Sequence, residues 1–90
     1  MGIERKYKDP DEATLYGVDW LDRLGEATIT SSSWVVPAGI TEASASYADT
    51  QTTIKLSGGI LGSTYRVTNR ITTSDGETLD QSIDVEIIEK

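Results

Sequence analysis

The last third of the chain alternates between apolar and polar residues with a period of two. From Thr64 to Ile71, and again from Leu79 to Ile87, one parity carries most of the apolar side chains and the other carries the charges. Successive side chains of a β-strand point to opposite faces. The pattern therefore predicts two strands, each with one buried face and one solvated face.

The segment 74–76 between these strands determines how they pair. A two-residue turn would place Ile71 opposite Asp80 and would mix the two faces. A three-residue loop keeps the faces apart and puts Gly76 at the left-handed position of a G1 bulge, where glycine is favoured. The apolar pairs are then Ile71 with Leu79, Val67 with Ile83 and Tyr65 with Val85. The polar pairs are Arg70 with Asp80 and Arg66 with Asp84.

Shorter strands are predicted upstream, where runs of Thr, Ser, Val and Ile are separated by glycine and proline. They span residues 15–20, 28–36, 40–47 and 52–56, and a helical turn is expected around 20–24. The run 40–47 contains small residues and is predicted to be an edge strand. Six to seven short strands at this spacing indicate an all-β, antiparallel β-sandwich. Trp34 and Tyr65 are expected to be its large core anchors.

The residues before Leu15 lack this pattern. We divide the chain into an N-terminal arm, 1–14, and a sandwich domain, 15–90. Within the arm, Asp9, Pro10 and Glu12 match the N-cap, N1 and N3 positions of one helical turn. The arm is either a frayed terminus or a docking segment. If it docks, the candidate partner-contact residues are Arg5, Tyr7, Lys8, Asp9 and Pro10.

The residue types needed for most catalysis are missing, since the chain contains no His and no Cys. This removes the commonest general base, the thiol nucleophile and the favoured metal ligands. We expect no enzyme activity and no cofactor. The carboxylates of Asp9, Asp11 and Glu12 could in principle hold calcium, but a helix cap with solvated charges is the favoured interpretation.

The composition also restricts the partners. A net charge of −7 argues against nucleic-acid binding, which needs a basic footprint. The acidic surplus from Asp75 onward is interpreted as a solvated strand face. No apolar run is long enough to span a membrane, and no signal peptide is apparent, so synthesis in the cytoplasm is expected. Ninety residues make one domain with a modest core, so either its packing suffices alone or neighbouring subunits add to it, which is a first indication of assembly.

The glycine-rich segment 58–63 could be taken for a phosphate-binding loop. It lacks the lysine and the following helix that such a loop requires. A structural explanation fits the sequence better. In many immunoglobulin-like sandwiches a tyrosine early in strand F is buried, and its hydroxyl group bonds to the backbone a few residues upstream. Tyr65 is placed for this tyrosine-corner role.

Several runs of the chain are similar to small virion proteins of tailed bacteriophages of the fibre–tail adaptor type. The runs are Lys8-Asp9-Pro10-Asp11-Glu12, Leu15-Tyr16-Gly17-Val18-Asp19-Trp20, Thr28-Ile29, Ser33-Trp34-Val35-Val36-Pro37-Ala38-Gly39-Ile40 and Leu56-Ser57-Gly58-Gly59 with Gly62 through Thr73. The resemblance covers nearly the whole chain from Lys8. It rests on spaced structural residues, with no active-site signature.

This resemblance implies an immunoglobulin-like subunit, repeated in the virion, that joins a fibre or neighbouring subunit to the tail or neck. Its expected partners are other virion proteins in a symmetric assembly, and the isolated domain could be monomeric. Three alternatives remain open at this stage: a head decoration protein, a cytoplasmic regulatory or assembly factor absent from particles, and a carbohydrate- or receptor-binding module. The binding module would need two or three exposed aromatic residues on one face or in one loop cluster.

Overall fold

The computed structural model describes residues 4–89, which form seven strands and one short helix. The strands are β1 (Glu4–Lys8), β2 (Thr14–Asp19), β3 (Ile29–Val35), β4 (Ile40–Tyr47), β5 (Gln51–Gly58), β6 (Thr64–Thr73) and β7 (Thr78–Ile87), and the helix is α1 (Leu21–Leu24). Residues 1–3 of the predicted arm and residue 90 lie outside the described part. No helix within residues 4–89 has the length and apolar character needed to cross a membrane.

The strands form two packed sheets, which confirms the predicted all-β sandwich. One sheet has the order β1-β7-β6-β3 and the other has the order β2-β5-β4. Four of the five strand pairs are antiparallel, while β1 pairs with β7 in parallel. The predicted antiparallel sandwich is thus confirmed, and β1, from the predicted arm, adds one parallel pair at the edge of the sheet opposite β2.

The β6–β7 hairpin has the predicted register on both faces. Ile71 lies opposite Leu79 and Val67 opposite Ile83, while Arg66 lies opposite Asp84 on the outer face. The three-residue loop is closed by a hydrogen bond from the Thr73 backbone N–H to the Glu77 carbonyl, 2.9 Å long. Gly76 has a φ of 81°, the left-handed conformation in which a Cβ atom would be strained.

The core consists of two apolar clusters along the space between the sheets. The larger contains nine buried residues: Tyr16, Ile40, Ile54, Leu56, Tyr65, Val67, Ile83, Val85 and Ile87. The smaller contains Trp20, Leu24, Ala27, Ile29 and Ile71. Burying one large aliphatic side chain contributes about 1.5–3 kcal/mol, so the inner faces of β5, β6 and β7 supply most of the apolar stabilisation.

Trp20 is the largest fully buried side chain, with 1% of its surface exposed. Trp34, which was predicted to be a large core anchor, is only partly buried and packs against the larger cluster. The difference arises because Trp20 follows β2 directly and turns inward at α1. Its place between the sheets depends on this turn, which the alternation of the strands does not encode.

A polar network surrounds the Trp20 indole inside the core. The indole N–H donates to the Asn69 side-chain oxygen at 2.9 Å, and the Thr52 hydroxyl donates to the same oxygen at 2.6 Å. The Asn69 amide then donates to the Ser33 carbonyl and to the Ser32 hydroxyl, each at 2.9 Å. Asn69 can therefore occupy a fully buried position on the inner face of β6, because all its polar atoms are satisfied.

The loops gather at the two ends of the sandwich. The hairpin end contains α1 and the tight turns at 48–50 and 74–76. The opposite end, which we call the glycine-turn end, contains residues 9–13, 36–39 and 59–63. At the glycine-turn end the Ile88 N–H donates to the Lys8 carbonyl at 2.8 Å, so the end of β1 lies beside the C-terminal end of the described chain.

Candidate protein interface

The segment 59–63 at the glycine-turn end is a rigid turn that displays two aliphatic side chains. Ile60 is 64% exposed and Leu61 is 55% exposed. The Ser63 N–H donates to the Ile60 carbonyl at 3.0 Å, which closes the turn. Large aliphatic side chains presented on an ordered turn are suited to fill an apolar pocket of another protein, since little conformational entropy is lost on binding.

Further hydrogen bonds attach this turn to the body of the sandwich. The Gly62 N–H donates to the Ile87 carbonyl at 2.9 Å, and the Gly59 N–H donates to the Gly39 carbonyl at 3.1 Å. Gly59 has a φ of 100°, and a Cβ atom there would lie 2.6 Å from the Ile87 Cδ1 atom. The turn can therefore pack this closely only with glycine at position 59.

Tyr65 is buried next to the turn and hydrogen-bonds to it. Its ring is 8% exposed, and its hydroxyl oxygen accepts a hydrogen bond from the Ile60 backbone N–H at 3.1 Å. This is the burial and bonding that a tyrosine corner requires. Because the bond ends on Ile60, the tyrosine orients the residue that precedes Leu61 at the tip.

Lys8 was predicted to contact a partner, and the structure contradicts this for its side chain. Lys8 is 0% exposed. Its ammonium group donates to the Gly58 carbonyl at 2.6 Å and to the Asp9 carbonyl at 2.8 Å. A buried cation needs such partners because it has lost its water. The side chain therefore joins the end of β1 to the end of β5, next to the glycine turn.

The prediction of an arm is corrected for residues 4–8, since they form β1 within the sandwich. Lys6 and Lys8 lie opposite Val85 and Ile87, while Arg5 and Tyr7 alternate with them on the outer face of the sheet. The sequence suggested a separate arm because the strand is polar. Its inward positions carry lysines, which hid the period-two pattern.

The remaining predicted contact residues lie on two surfaces. Arg5 and Tyr7 are exposed on the outer face, where Arg5 forms an ion pair with Glu86 at 3.1 Å and Tyr7 is 49% exposed. Asp9 and Pro10 are half-buried in a turn at the glycine-turn end. The structure thus places Asp9 and Pro10 at the same end as Ile60 and Leu61.

The turn at residues 9–12 has the hydrogen bonds of a capping box, although no helix follows. The Asp9 carboxylate accepts from the Asp11 N–H at 2.9 Å, and the Glu12 carboxylate accepts from the Asp9 N–H at 3.0 Å. Two of the three carboxylates considered for calcium thus bond to the backbone. Among residues 4–89, no group of three acidic, His or Cys side chains is arranged to hold a metal ion.

Two of the acidic residues from Asp75 onward form ion pairs with arginines on the outer face of the β6–β7 hairpin. Arg66 bonds to Asp84 and Arg70 to Asp80, with the shortest N–O distance 2.9 Å in each pair. Each arginine hydrogen bond lowers the pKa of its aspartate below the ordinary value. Each aspartate in turn raises the pKa of its arginine. This face is therefore charged but locally balanced.

Sequence reasoning missed Ile60 and Leu61 as interface candidates. The signal was present, because two adjacent aliphatic residues lie between glycines in a segment that forms no strand. The segment was considered only as a phosphate-binding loop and then as a neighbour of Tyr65. Their exposure could be recognised only once the turn was seen to project from the sandwich.

Two packed sheets with a tyrosine corner define an immunoglobulin-like β-sandwich, and the exposed glycine turn suits contact with another protein. The family model described as Podophage GP4 fiber-tail adaptor protein gp77 matches residues 8–86. The chain belongs to this family. The match covers β2 to β6 completely, β7 except its last residue, and only the last residue of β1.

The solution structure of the PKD domain from KIAA 1837 protein shares the fold. Its TM-score is 0.57 at 17% sequence identity, and the alignment covers 98% of this chain and 81% of that chain. At this identity the likeness concerns the fold alone. No curated protein matches the chain in sequence.

Proposed function

We propose that the protein is a non-enzymatic component of a phage virion, an adaptor that joins a fibre or a neighbouring subunit to the tail or neck. The observation that carries this proposal is the family match over residues 8–86. The partners are other virion proteins, and the chain acts in several copies within a symmetric assembly. The domain binds neither nucleic acid nor a membrane in this role.

The glycine-turn end is the docking surface for one of these partners. Ile60 and Leu61 form its apolar centre, and Asp9 and Pro10 lie in the neighbouring turn. Protein interfaces commonly have such an apolar centre within a polar rim. Tyr65 and Gly59 fix the turn in the free protein, so the surface is ordered before the partner arrives.

The charges at this end indicate the chemistry of the partner. Asp11 and Glu89 are exposed there, and the whole chain has a net charge of −7. An apolar pocket bordered by basic residues would complement this surface. Complementary charge of this kind mainly accelerates association, so the rate should fall as salt is added.

A carbohydrate-binding role is less well supported. Among residues 4–89 the exposed aromatic side chains are Tyr7 and Tyr47, at 49% and 47%. Tyr7 lies on the β1 edge and Tyr47 on the β4 edge, at opposite sides of the sandwich. A sugar ring stacks on neighbouring aromatic faces, and this pair is separated by the body of the domain.

The test is competitive incorporation into particles. Cells supply wild-type chain together with a variant carrying Ile60→Ser and Leu61→Ser, and mass spectrometry measures their ratio in purified virions. We expect the variant to be depleted by at least about tenfold, because 1.4 kcal/mol already corresponds to that factor. The loss of two exposed aliphatic groups should leave the unfolding midpoint nearly unchanged.

Leu21→Ser is the matched control. Leu21 is 54% exposed, nearly the same as Leu61, but lies on α1 at the hairpin end. The control should be incorporated like the wild type. Equal incorporation of the double variant and the wild type would contradict the docking surface. Absence of the wild-type chain from virions would contradict the adaptor function itself.

A further inference from the structure

Strand β4 is an edge strand whose two faces are both open. Seven of its eight residues are exposed, and Ile40 is the exception. Ala45 lies opposite the fully buried Ile54 of β5 and so points toward the interior side of its sheet. Ala45 is nevertheless exposed, although the neighbouring Tyr47 hydroxyl donates to the Thr30 carbonyl of β3 at 2.9 Å. A cavity of about 240 Å³ lies there, lined by Ser32, Ala45, Ser46 and Tyr47.

The outer edge of β4 presents backbone groups that β5 does not use. The Ala48 N–H donates to the Gln51 carbonyl at 2.8 Å, so Ala48 and Gln51 are a hydrogen-bonded pair next to the end of β4. Antiparallel pairs alternate between hydrogen-bonded and non-hydrogen-bonded residues. By this alternation the backbone groups of Ser44 and Ser46 bond to β5. The N–H and C=O groups of Ala45 and Tyr47 point away from β5, toward the open edge of the sheet.

This edge lacks the charges that normally prevent strand pairing. Natural edges are often protected by lysine, proline or inward-pointing charges. From residue 41 to 48 the sole charged side chain is Glu42. By contrast β1, an edge of the other sheet, has charged Glu4, Arg5 and Lys6 in succession. A β-bulge between Glu42 and Ser44 limits the uncharged, regularly paired part of β4 to residues 44–47.

A second copy of the chain fits this edge. If a twofold axis passes beside Ala45, two β4 strands run antiparallel with Ala45 opposite Ala45 and Ser44 opposite Ser46. The two Glu42 residues then lie six residues apart along the strands, roughly 20 Å at 3.4 Å per residue. This exceeds the Debye length of about 8 Å in physiological salt, so their repulsion is screened.

The distribution of charge also favours the β4 edge over the rest of the surface for self-association. Each copy has a net charge of −7, which opposes approach through most of the surface. We propose that β4 pairs antiparallel with β4 of a second copy about a twofold axis at Ala45. The two three-stranded sheets then become one six-stranded sheet, and the glycine-turn ends stay free for other partners. This inference does not depend on the adaptor function.

Sedimentation velocity of the full chain from about 10 μM to about 1 mM tests the pairing, since so short an edge buries less surface than a stable dimer needs. We expect the dimer fraction to rise at the upper concentrations. Ala45→Pro should abolish it, because proline removes the outward N–H without breaking a bond to β5. Ala45→Ser retains that N–H and should dimerise like the wild type.

Disulfide trapping gives a second test that does not require the proline variant to fold. The chain has no Cys, so Ala45→Cys introduces a single thiol. In the proposed pair the two Cα atoms lie about 5.5 Å apart, within the range that a disulfide spans. Under mild oxidation this variant should form covalent dimers at least about tenfold faster than Leu21→Cys, whose thiol would be exposed at the hairpin end.

Three results would overturn the proposal. One is a wild-type chain that stays monomeric throughout the concentration range, together with equal trapping rates for the two cysteine variants. Another is a wild-type dimer that persists in a folded Ala45→Pro variant, which would locate self-association on a different surface. The third is trapping of Ala45→Cys no faster than Leu21→Cys although the wild-type chain dimerises.

Discussion

The β6–β7 hairpin and strand β4 use the same secondary structure in opposite ways. The inner face of β6 is buried at every second position, from Tyr65 to Thr73, and the outer face bears ion pairs. In β4, only Ile40 is buried and the side chains are small. The hairpin therefore stabilises the fold, while β4 leaves a surface and a backbone edge available. Regions that contribute little to the core are where interaction surfaces can form.

The largest expected effect comes from truncating the hairpin interior. Ile83 is 1% exposed within the larger core cluster, and Ile83→Ala should lower the free energy of unfolding by about 2–5 kcal/mol. Ala45→Ser in β4 should change it by less than about 0.5 kcal/mol. Urea denaturation followed by circular dichroism measures both. Similar losses at the two sites would contradict the division of roles between the hairpin and β4.

The next effect concerns the polar network behind the hairpin. Asn69→Leu keeps the branched shape but removes the acceptor of the Thr52 hydroxyl and the nearer acceptor of the Trp20 indole N–H, which is left with the Thr52 hydroxyl oxygen at 3.4 Å. Each buried donor left unsatisfied costs about 1–3 kcal/mol. Thr68→Val, which removes only a half-buried hydrogen bond to Ser82 on the outer face of the same strand, is the control. If Asn69→Leu is as stable as the control in thermal unfolding, the network does not stabilise the core.

A smaller effect is expected at the turn that sets the hairpin register. Gly76 has a φ of 81°, and a Cβ atom there would touch nothing within 4 Å. Gly76→Ala should therefore cost only the backbone strain, about 1–2 kcal/mol. Asp75→Ala in the same loop has no such strain and should be nearly neutral. Equal unfolding free energies for the two variants would argue against the G1 bulge.

The smallest effect is electrostatic and depends on pH. The hydrogen bond from Arg66 lowers the pKa of Asp84 in the folded state. A lowered pKa stabilises the fold above the unfolded pKa of about 3.9, and this stabilisation is lost as the pH falls through the folded value. The exposed pair is weak in solvent. Asp84→Asn should thus unfold slightly more easily than wild type near pH 7, and the difference should vanish near pH 2. A constant difference across this range would contradict the ion pair as its source.

The hairpin could be predicted in full because a period-two pattern and a three-residue loop agree on one register. The alternating residues also predicted the sandwich and the edge position of β4. Trp20 and Lys8 could not be placed in this way. The indole is buried by the turn into α1, and the lysine is buried by carbonyls of Gly58 and Asp9, so neither depends on the periodicity of its own strand.

The interface was harder to predict than the fold for a related reason. Arg5 and Tyr7 are polar or amphipathic residues near the terminus, and their selection assumed a separate arm. Ile60 and Leu61 resemble ordinary core residues in the sequence. Only the hydrogen bonds of Tyr65 and Gly62 show that their turn is held outward. Exposure of an apolar residue depends on tertiary geometry that local sequence does not carry.

A cryo-electron-microscopy reconstruction of the virion tail and neck is the most direct test of the docking surface. We expect density for this sandwich with its glycine-turn end against another virion protein, and with Ile60 and Leu61 in an apolar pocket. A reconstruction in which the sandwich is present but Ile60 and Leu61 face solvent would contradict the docking surface. A complete reconstruction without the sandwich, from virions that lack the chain by mass spectrometry, would contradict the adaptor function.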